Sequence, residues 1–452
     1  MDVFLTALGC RLNEAELQSW SRDFRAAGHR LVSRAEEAQL VVLNTCAVTA
    51  EAARKSRKLA NRLHRQNPNA QLVMTGCYAE LEPEATGALG GVDLVINNHD
   101  KDWLLRVIER ELELAEAQPP TLLPITTPSL SSDASTASAP GRTRAFVKVQ
   151  DGCRNRCAFC IVTVARGEER SRPIDRIIEE LSDLAARGYR EVVLTGVHLG
   201  GYGADLGTDL GALVREVLAR TTIERLRLSS IEPWDLTPGL FGLWREGARR
   251  LCPHLHLPLQ SGSDAVLRRM ARRCDTARYA ELVASAREAI PDLTVTTDII
   301  VGFPGETEEE WQETIAFCEK LDFAHMHIFS YSARHGTAAA RMGQQVPTEV
   351  KRQRSRELHR LANESRARCL QRYVGSERSV LWEGAGEAVN GTSTRYGGLT
   401  DNYLRCEIVV PNTVVLENRL TPVTLSEIDI DTYRGEFSTA TLAALTPQSA
   451  LG

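Results

Sequence analysis

The sequence predicts an α/β protein in three folded parts. These are an N-terminal doubly wound α/β domain over 1–116, a central (β/α)6 partial barrel with a trailing basic helix over 142–372, and a small all-β barrel over 373–438. Three patterns carry the prediction. Apolar runs of strand length alternate with amphipathic stretches before residue 117. The alternation resumes near 145 and runs through six strand candidates to 330. Beyond about Gly375 it gives way to short alternating strands among glycine-rich turns.

In the first part, strands are expected over 3–8, 40–45, 72–76 and 92–96, with helices over 13–27, 52–65, 78–86 and 102–115. That order needs parallel pairing and helices on both sheet faces. A linker follows over 117–141, with five prolines, many Ser and Thr, and Asp133 as its one charge. Barrel strands are expected over 145–150, 192–197, 226–231, 255–259, 294–301 and 325–330. The clearest helix is 174–187, where Ile174, Ile177, Ile178, Leu181 and Leu184 share one face and Gly188 is a stop. Strands over 379–382, 403–410 and 420–428 suggest an OB-like barrel, followed by a tail over 439–452.

Cys153, Cys157 and Cys160 stand in the order Cys-x3-Cys-x2-Cys, bringing three soft thiolates onto one loop. On a four-iron cluster, three protein ligands leave one iron open to a substrate or cofactor. Cys10, Cys46 and Cys77 lie too far apart in sequence for a local metal loop, but each follows a predicted strand. The carboxyl ends of parallel strands border a common crevice, so these three can converge on a second metal centre. Zinc competes for that triad, and ordinary buried cysteines are the plain alternative. Cys252, Cys274, Cys318, Cys369 and Cys406 share no spacing and read as core or free thiols.

The 452 residues are 43% hydrophobic and 25% charged, as in ordinary globular proteins. No apolar run approaches a membrane span and no export signal opens the chain, so a cytoplasmic protein with reduced thiols and no membrane partner is expected. A net charge of −5 does not itself point to nucleic acid. Two basic runs do, however: six Lys or Arg with no acid over 54–65, and eight against two Glu over 351–372. Solvated helix faces are the alternative for each.

The stretch Cys153–Cys157–Phe159–Cys160 resembles the signature of radical S-adenosylmethionine (SAM) enzymes. That resemblance implies a [4Fe–4S] cluster whose open iron chelates SAM, reductive cleavage to a 5′-deoxyadenosyl radical, and Phe159 near the adenine. The chain further resembles the methylthiotransferase family over about 2–437. The matching stretches are GCRLN at 9–13, NTCAVT at 44–49, GCY at 76–78, RGEERSR at 166–172, TGVHLGGYG at 195–203, LPLQSGS at 257–263 and DIIVGFPGE at 298–306. This implies a second [4Fe–4S] cluster on Cys10, Cys46 and Cys77 that holds the transferred sulfur, no catalytic residues beyond the cluster ligands, and an RNA-binding TRAM module at the C-terminus. A proline expected a few residues after the third cluster cysteine is replaced by Thr163.

The GCRLN and NTCAVT forms look most like the enzymes that convert N6-threonylcarbamoyladenosine at position 37 of tRNA to its 2-methylthio form. The alternatives are isopentenyladenosine 37 of tRNA, a ribosomal-protein aspartate, and a non-catalytic metal- and RNA-binding protein. Implied partners are the tRNA anticodon stem-loop and a flavodoxin- or ferredoxin-like electron donor, with the chain acting as a monomer. Cofactor contacts are expected from Gly196, Ser230, Glu232, Gln260 and Gly302 at barrel strand ends, and from Arg166 and Arg334 at the mouth. Arg170 and Arg172 share that mouth, and Trp382, Tyr396 and Tyr403 are either core or base-stacking rings.

Overall fold

The computed structural model describes residues 1–112, 143–246 and 250–446; the linker expected over 117–141 lies outside them. The chain divides into two compact units, Met1–Ser138 with Ile161–Glu168, and Ala139–Cys160 with Glu169–Gly452.

The first unit is built on five parallel strands: β1 (Asp2–Ala7), β2 (Arg30–Leu31), β3 (Leu40–Thr45), β4 (Gln71–Gly76) and β5 (Leu94–Val95), in the order β2-β1-β3-β4-β5. Side chains alternate across a strand, and β3 uses both faces. Val41 and Leu43 pack with Ala53, Ala60 and Leu63 of the helix Ala50–Gln66. Leu40 and Val42 pack with Trp20 and Phe24 of the helix Arg11–Ala26 and with Leu104 and Ile108 of the helix Leu104–Glu111. A sheet covered on both faces reads as a near-continuous apolar run, as LVVL does here. This strand order changes direction between β1 and β3, which is where such sheets bind ligands.

In the second unit, β6 (Arg144–Asp151), β7 (Arg170–Ser171), β8 (Glu191–Gly196) and β9 (Arg225–Leu228) form one sheet in the order β7-β6-β8-β9. β10 (His254–His256), β11 (Thr294–Val301) and β12 (His325–Ser330) form another, and a parallel bridge from Ser230 to His256 joins the two. Six parallel strands thus make the partial barrel, with β7 as a short antiparallel edge. Ala145, Val147 and Val149 of β6, Val192 and Leu194 of β8, and Leu226 and Leu228 of β9 pack into the core beneath the surrounding helices. The alternate positions on these strands face the barrel lumen.

The last 60 or so residues expected as an all-β module form a closed five-stranded barrel. Its strands are β13 (Glu377–Asn390), β14 (Ser393–Thr400), β15 (Arg405–Pro411), β16 (Leu420–Asp429) and β17 (Thr432–Glu436), in the order β13-β14-β15-β17-β16, and β13 pairs with β16 to close it. Its architecture agrees with the expected TRAM-like module. Trp382 and Tyr396 are buried in its core, so neither ring is on offer to a base. A helix, Thr439–Leu445, occupies part of the stretch expected as tail.

Three arginines at the lower end of the large barrel join it to this small one. Arg225 donates to the Leu399 carbonyl and to Ser379. Arg227 donates to the Asp401 carbonyl, and Arg144 pairs with Glu383 at 2.8 Å. Glu191 sits among the three guanidiniums, with Arg227 Nε at 2.8 Å.

Candidate metal and cofactor sites

Cys10, Cys46 and Cys77 follow β1, β3 and β4, at the carboxyl edge beside the strand-order reversal. Asn13 of the GCRLN stretch ties two strand ends together, donating to the Leu8 carbonyl (2.6 Å) and the Thr45 carbonyl (3.1 Å). Ser56 accepts from the Cys46 amide at 3.2 Å and donates to the Cys46 carbonyl at 3.1 Å. Gly9 is held at φ +109, and a Cβ there would stand 2.6 Å from Cys46 Cβ and 2.7 Å from its Sγ. Gly76 (φ +92) likewise leaves no room for a side chain, because a Cβ would meet Asn44 Oδ1 at 2.4 Å. Each glycine therefore lets a cysteine-bearing loop approach its neighbour closely.

Burial pushes the Cys46 thiol up to about 11, and the nearby Cys10 and Cys77 add to the rise. Burial raises Cys10 as well, while the Arg166 charge pulls it back. Among the described residues, these three sulfurs do not all lie within 4.8 Å of one another. Three thiols bordering one crevice are a donor set that fits three irons of a four-iron cluster, and also zinc.

Arg166 was expected at the barrel mouth. Instead, its segment Ile161–Glu168 belongs to the first unit. Its guanidinium is buried, donating to Glu16 Oε1 at 2.9 Å and Asn13 Oδ1 at 3.0 Å. Glu16 also holds the buried Lys101 at 2.6 Å and accepts from Asn44 at 2.9 Å. This buried ionic group joins residues 13, 16, 44, 101 and 166, and sequence spacing alone gave no sign of it. Thr163 lies in the first turn of the short helix Val162–Arg166, a position that accepts threonine and proline alike.

In the second unit the loop after β6 carries Cys153, Cys157 and Cys160. It is pinned by hydrogen bonds from the Ala158 amide to the Met270 carbonyl (2.9 Å) and from the Ala339 amide to the Ala158 carbonyl (2.8 Å). Cys153 Sγ accepts from the Asn155 amide at 3.4 Å, and Arg272 Nη1 lies 3.8 Å from Cys157 Sγ. Burial raises Cys157, and the Arg272 charge opposes that rise. Glu232, expected as a cofactor contact, is held by Arg272 in a two-pronged pair at 3.1 and 2.7 Å.

Cys153, Glu169 and His198 bring three ligand atoms together. However, both His198 ring nitrogens are engaged by carboxylates, Glu169 at 2.5 Å and Asp235 at 2.5 Å. Burial would lower the imidazole pKa, but those two bonds outweigh it and raise it, so both nitrogens are committed to carboxylates rather than turned to a metal.

Phe159 packs beside Phe303, Tyr331 and Met270. Gly196 ends β8 against Gln150, where a Cβ would come within 2.9 Å of Oε1. Ser230 is exposed at the end of the third barrel strand, and the Gln260 amide donates to the Asp298 carbonyl at 2.8 Å. The Gly302 amide donates to Glu306 at 2.8 Å, and burial raises that carboxyl to about 7. Among the buried polar atoms of the described residues that find no hydrogen-bond partner, four lie here: Arg334 Nε, Tyr331 Oη, Ser229 Oγ and Trp234 Nε1. All four follow the ends of β9 or β12, and they give the mouth unused hydrogen-bonding capacity of the kind a polar cofactor needs.

The two basic helices fare differently. On Thr348–Gln371, Arg354 is buried against Glu306, and Arg360, Arg366, Arg368 and Arg372 pair with Glu364, Asp431 and Asp322, which favours the plain reading of that run. On Ala50–Gln66, Arg54, Lys58, Arg62 and Arg65 are exposed.

A cysteine-rich loop at the mouth of a six-stranded open barrel defines a radical SAM enzyme. Residues 147–318 match the radical SAM superfamily, and residues 2–97 match uncharacterized protein family UPF0004. The fold is that of the radical SAM methyltransferase TsrM from Kitasatospora setae, at a TM-score of 0.54 and 16% identity over 73% of this chain and 74% of that one. Threonylcarbamoyladenosine tRNA methylthiotransferase MtaB of Bacillus subtilis is 35% identical over 96% of both chains, and its namesake in Thermotoga maritima is 36% identical over 84% and 86%. A tRNA-2-methylthio-N(6)-dimethylallyladenosine synthase of Bacillus pumilus is 34% identical over 84% of this chain and 76% of its own. The chain belongs to the tRNA methylthiotransferase family of radical SAM enzymes.

Proposed function

We propose that the chain methylthiolates C2 of the adenine in N6-threonylcarbamoyladenosine at position 37 of tRNA, with SAM as methyl donor and radical source. The observation that carries this reading is the second cysteine group. Cys10, Cys46 and Cys77 border one crevice in addition to the Cys153–Cys157–Cys160 loop, which gives the chain ligands for two [4Fe–4S] clusters. The relatives named for the threonylcarbamoyl substrate, together with the GCRLN and NTCAVT stretches, support the substrate.

When bound, the clusters and SAM supply the electron, the radical and the sulfur. The chain's own residues hold and shield them. Arg272 sets its charge beside Cys157 and is itself balanced by Glu232. Asn13 and Ser56 fix the loops of Cys10 and Cys46. Arg334 and Tyr331 supply unused hydrogen-bonding groups at the mouth, where Phe159 offers an apolar face. The exposed arginines and lysines of Ala50–Gln66 suit the phosphates of an anticodon stem-loop. An external low-potential donor of flavodoxin or ferredoxin type, a cytoplasmic setting and a monomeric enzyme complete the proposal, as does the division into domains at 1–116, 142–372 and 373–438.

The second reading is isopentenyladenosine 37, favoured by the 34% identity to the dimethylallyladenosine synthase. Mass spectrometry of tRNA nucleosides from a strain lacking the chain separates the two. Loss of 2-methylthio-N6-threonylcarbamoyladenosine supports the first, and loss of the isopentenyl product instead supports the second.

A further inference from the structure

The interior of a parallel barrel is ordinarily filled by layers of branched apolar side chains. In this barrel the lumen-facing positions of three adjacent strands are His256 on β10, Asp298 on β11 and His327 on β12, while Leu255, Val295, Ile299, Met326 and Ile328 turn outward into the core. One ligand atom from each of the three lies within 4.8 Å of the others. His256 Nε2 is 3.2 Å from Asp298 Oδ2, and its Nδ1 is 2.9 Å from Thr296 Oγ1, so the imidazole is fixed at both nitrogens. Asp298 and His327 are direct register partners, and the two imidazole rings stand edge-on with centroids 5.5 Å apart.

This group is not sealed. The Asp298 side chain keeps 23% of its surface exposed, His327 is exposed, and Phe329, two residues further along β12, shows 46%. Tyr403 of the small barrel lies below the group, stacked on His254 at 4.6 Å with the Arg227 guanidinium 4.8 Å from its ring. His327 also lines a cavity of about 700 Å³ that runs onto the small barrel, where Arg395 and Arg405 are exposed while Arg144 and Arg366 are taken up by Glu383 and Asp431. A nucleotide whose phosphates lie along the two exposed arginines could place its base in the lumen, with Phe329 as an apolar face for the ring.

We propose that Asp298 and His327 read the polar N6 substituent of the target adenosine, with His256 as the positioning residue for Asp298, and so set the preference for a threonylcarbamoyl over an isopentenyl group. This rests on the nucleoside reading given above. An ionised carboxylate accepts from the two N–H groups of a ureido linkage, and an imidazole N–H donates to the threonyl carboxylate or hydroxyl. An isopentenyl chain has neither donor nor acceptor. Placed here, the isopentenyl nucleoside would keep only its N6–H as a donor, stripping water from Asp298 and His327 while leaving His327 unpaired, which is how a site built on polar pairing rejects an apolar analogue.

The test uses the reconstituted full chain and synthetic anticodon stem-loops identical except at position 37, which carries N6-threonylcarbamoyladenosine, isopentenyladenosine or adenosine. Affinities are read by fluorescence anisotropy. The wild-type protein should prefer the threonylcarbamoyl loop to the isopentenyl loop. His327→Leu and the isosteric Asp298→Asn should each cut that preference at least about tenfold. Both should bind the adenosine loop within about twofold of wild type, since phosphate contacts carry that affinity, and iron content should be unchanged. A preference intact in both variants overturns the proposal. A bound metal ion beyond the cluster iron, lost together with the preference in His327→Leu, also overturns it by assigning the three side chains to a metal. A wild-type protein with no preference for the threonylcarbamoyl loop instead defeats the substrate reading, whichever residues line the lumen.

Discussion

Arg166 donates to Glu16 at 2.9 Å across 150 residues of sequence, and both side chains are buried. The contact ties the segment that follows the Cys160 loop to the helix that follows Cys10. Glu16 balances Lys101 as well, so the carboxylate is the hub of the group. Glu16→Ala would leave two buried cations without their shared carboxylate, with the neutral Asn13 and Asn98 oxygens beside them, at a cost of about 3–5 kcal/mol. Chemical denaturation of the iron-free chain should show a loss of that size, whereas Arg30→Ala, which breaks an exposed pair with Asp2, should cost under about 1 kcal/mol.

Gly9→Ala tests the cysteine crevice directly. The new Cβ would clash with Cys46, 2.6 Å from its Cβ, on a residue held at positive φ. Iron per chain should fall by about half, from roughly eight toward four. The remaining iron should still bind SAM, since the barrel loop is untouched.

Arg272 should make cluster retention in the barrel depend on pH. Burial raises Cys157, and the guanidinium 3.8 Å away lowers it. In Arg272→Gln the main lowering influence is lost, so at a given pH less thiolate is available and the metal must displace more protons. The midpoint pH for losing the barrel cluster should therefore move upward, with retention restored as pH increases. Absorbance near 400 nm, followed in a Cys46→Ala background, would report it.

Glu191 should govern acid stability where the two barrels meet. Burial by itself would raise its carboxyl, but Arg227, Arg225 and Arg144 outweigh this and hold it down at about 2. A depressed carboxyl contributes stability that is present above the unfolded value of 4.5 and is lost as pH falls through about 2. The contribution is roughly 3 kcal/mol at neutral pH. Thermal unfolding of wild type should drop between about pH 5 and 2 more steeply than that of Glu191→Gln, which should be less stable at pH 7 and flatter in this range.

Much of this was legible in the sequence because each signal was local. β3 occupies 40–45 as expected, and the helix Ile174–Ala186 matches its apolar stripe within a residue. The cysteine of each strand end could be placed because apolar runs stop at Ala7, Thr45 and Gly76. What escaped was non-local or very short. β2 and β7 have two residues each and carry no period. Arg166 lies in a charged stretch that suggested the barrel mouth, yet its partners are Asn13 and Glu16, and only tertiary packing could show that. His256, Asp298 and His327 sit on three different strands. The available clue was the alternation itself, since HLH, TTDII and HMHIF place polar residues opposite core residues on strands that should be apolar on both faces.

The central claim is that Cys10, Cys46 and Cys77 hold a second cluster serving a different step from the one on Cys153, Cys157 and Cys160. The most direct measurement is product analysis of reconstituted Cys46→Ala with reductant, SAM and tRNA, quantifying 5′-deoxyadenosine and the methylthio nucleoside together. The account predicts 5′-deoxyadenosine at a rate within a few-fold of wild type and no methylthio nucleoside. Methylthio nucleoside at wild-type yield would contradict it.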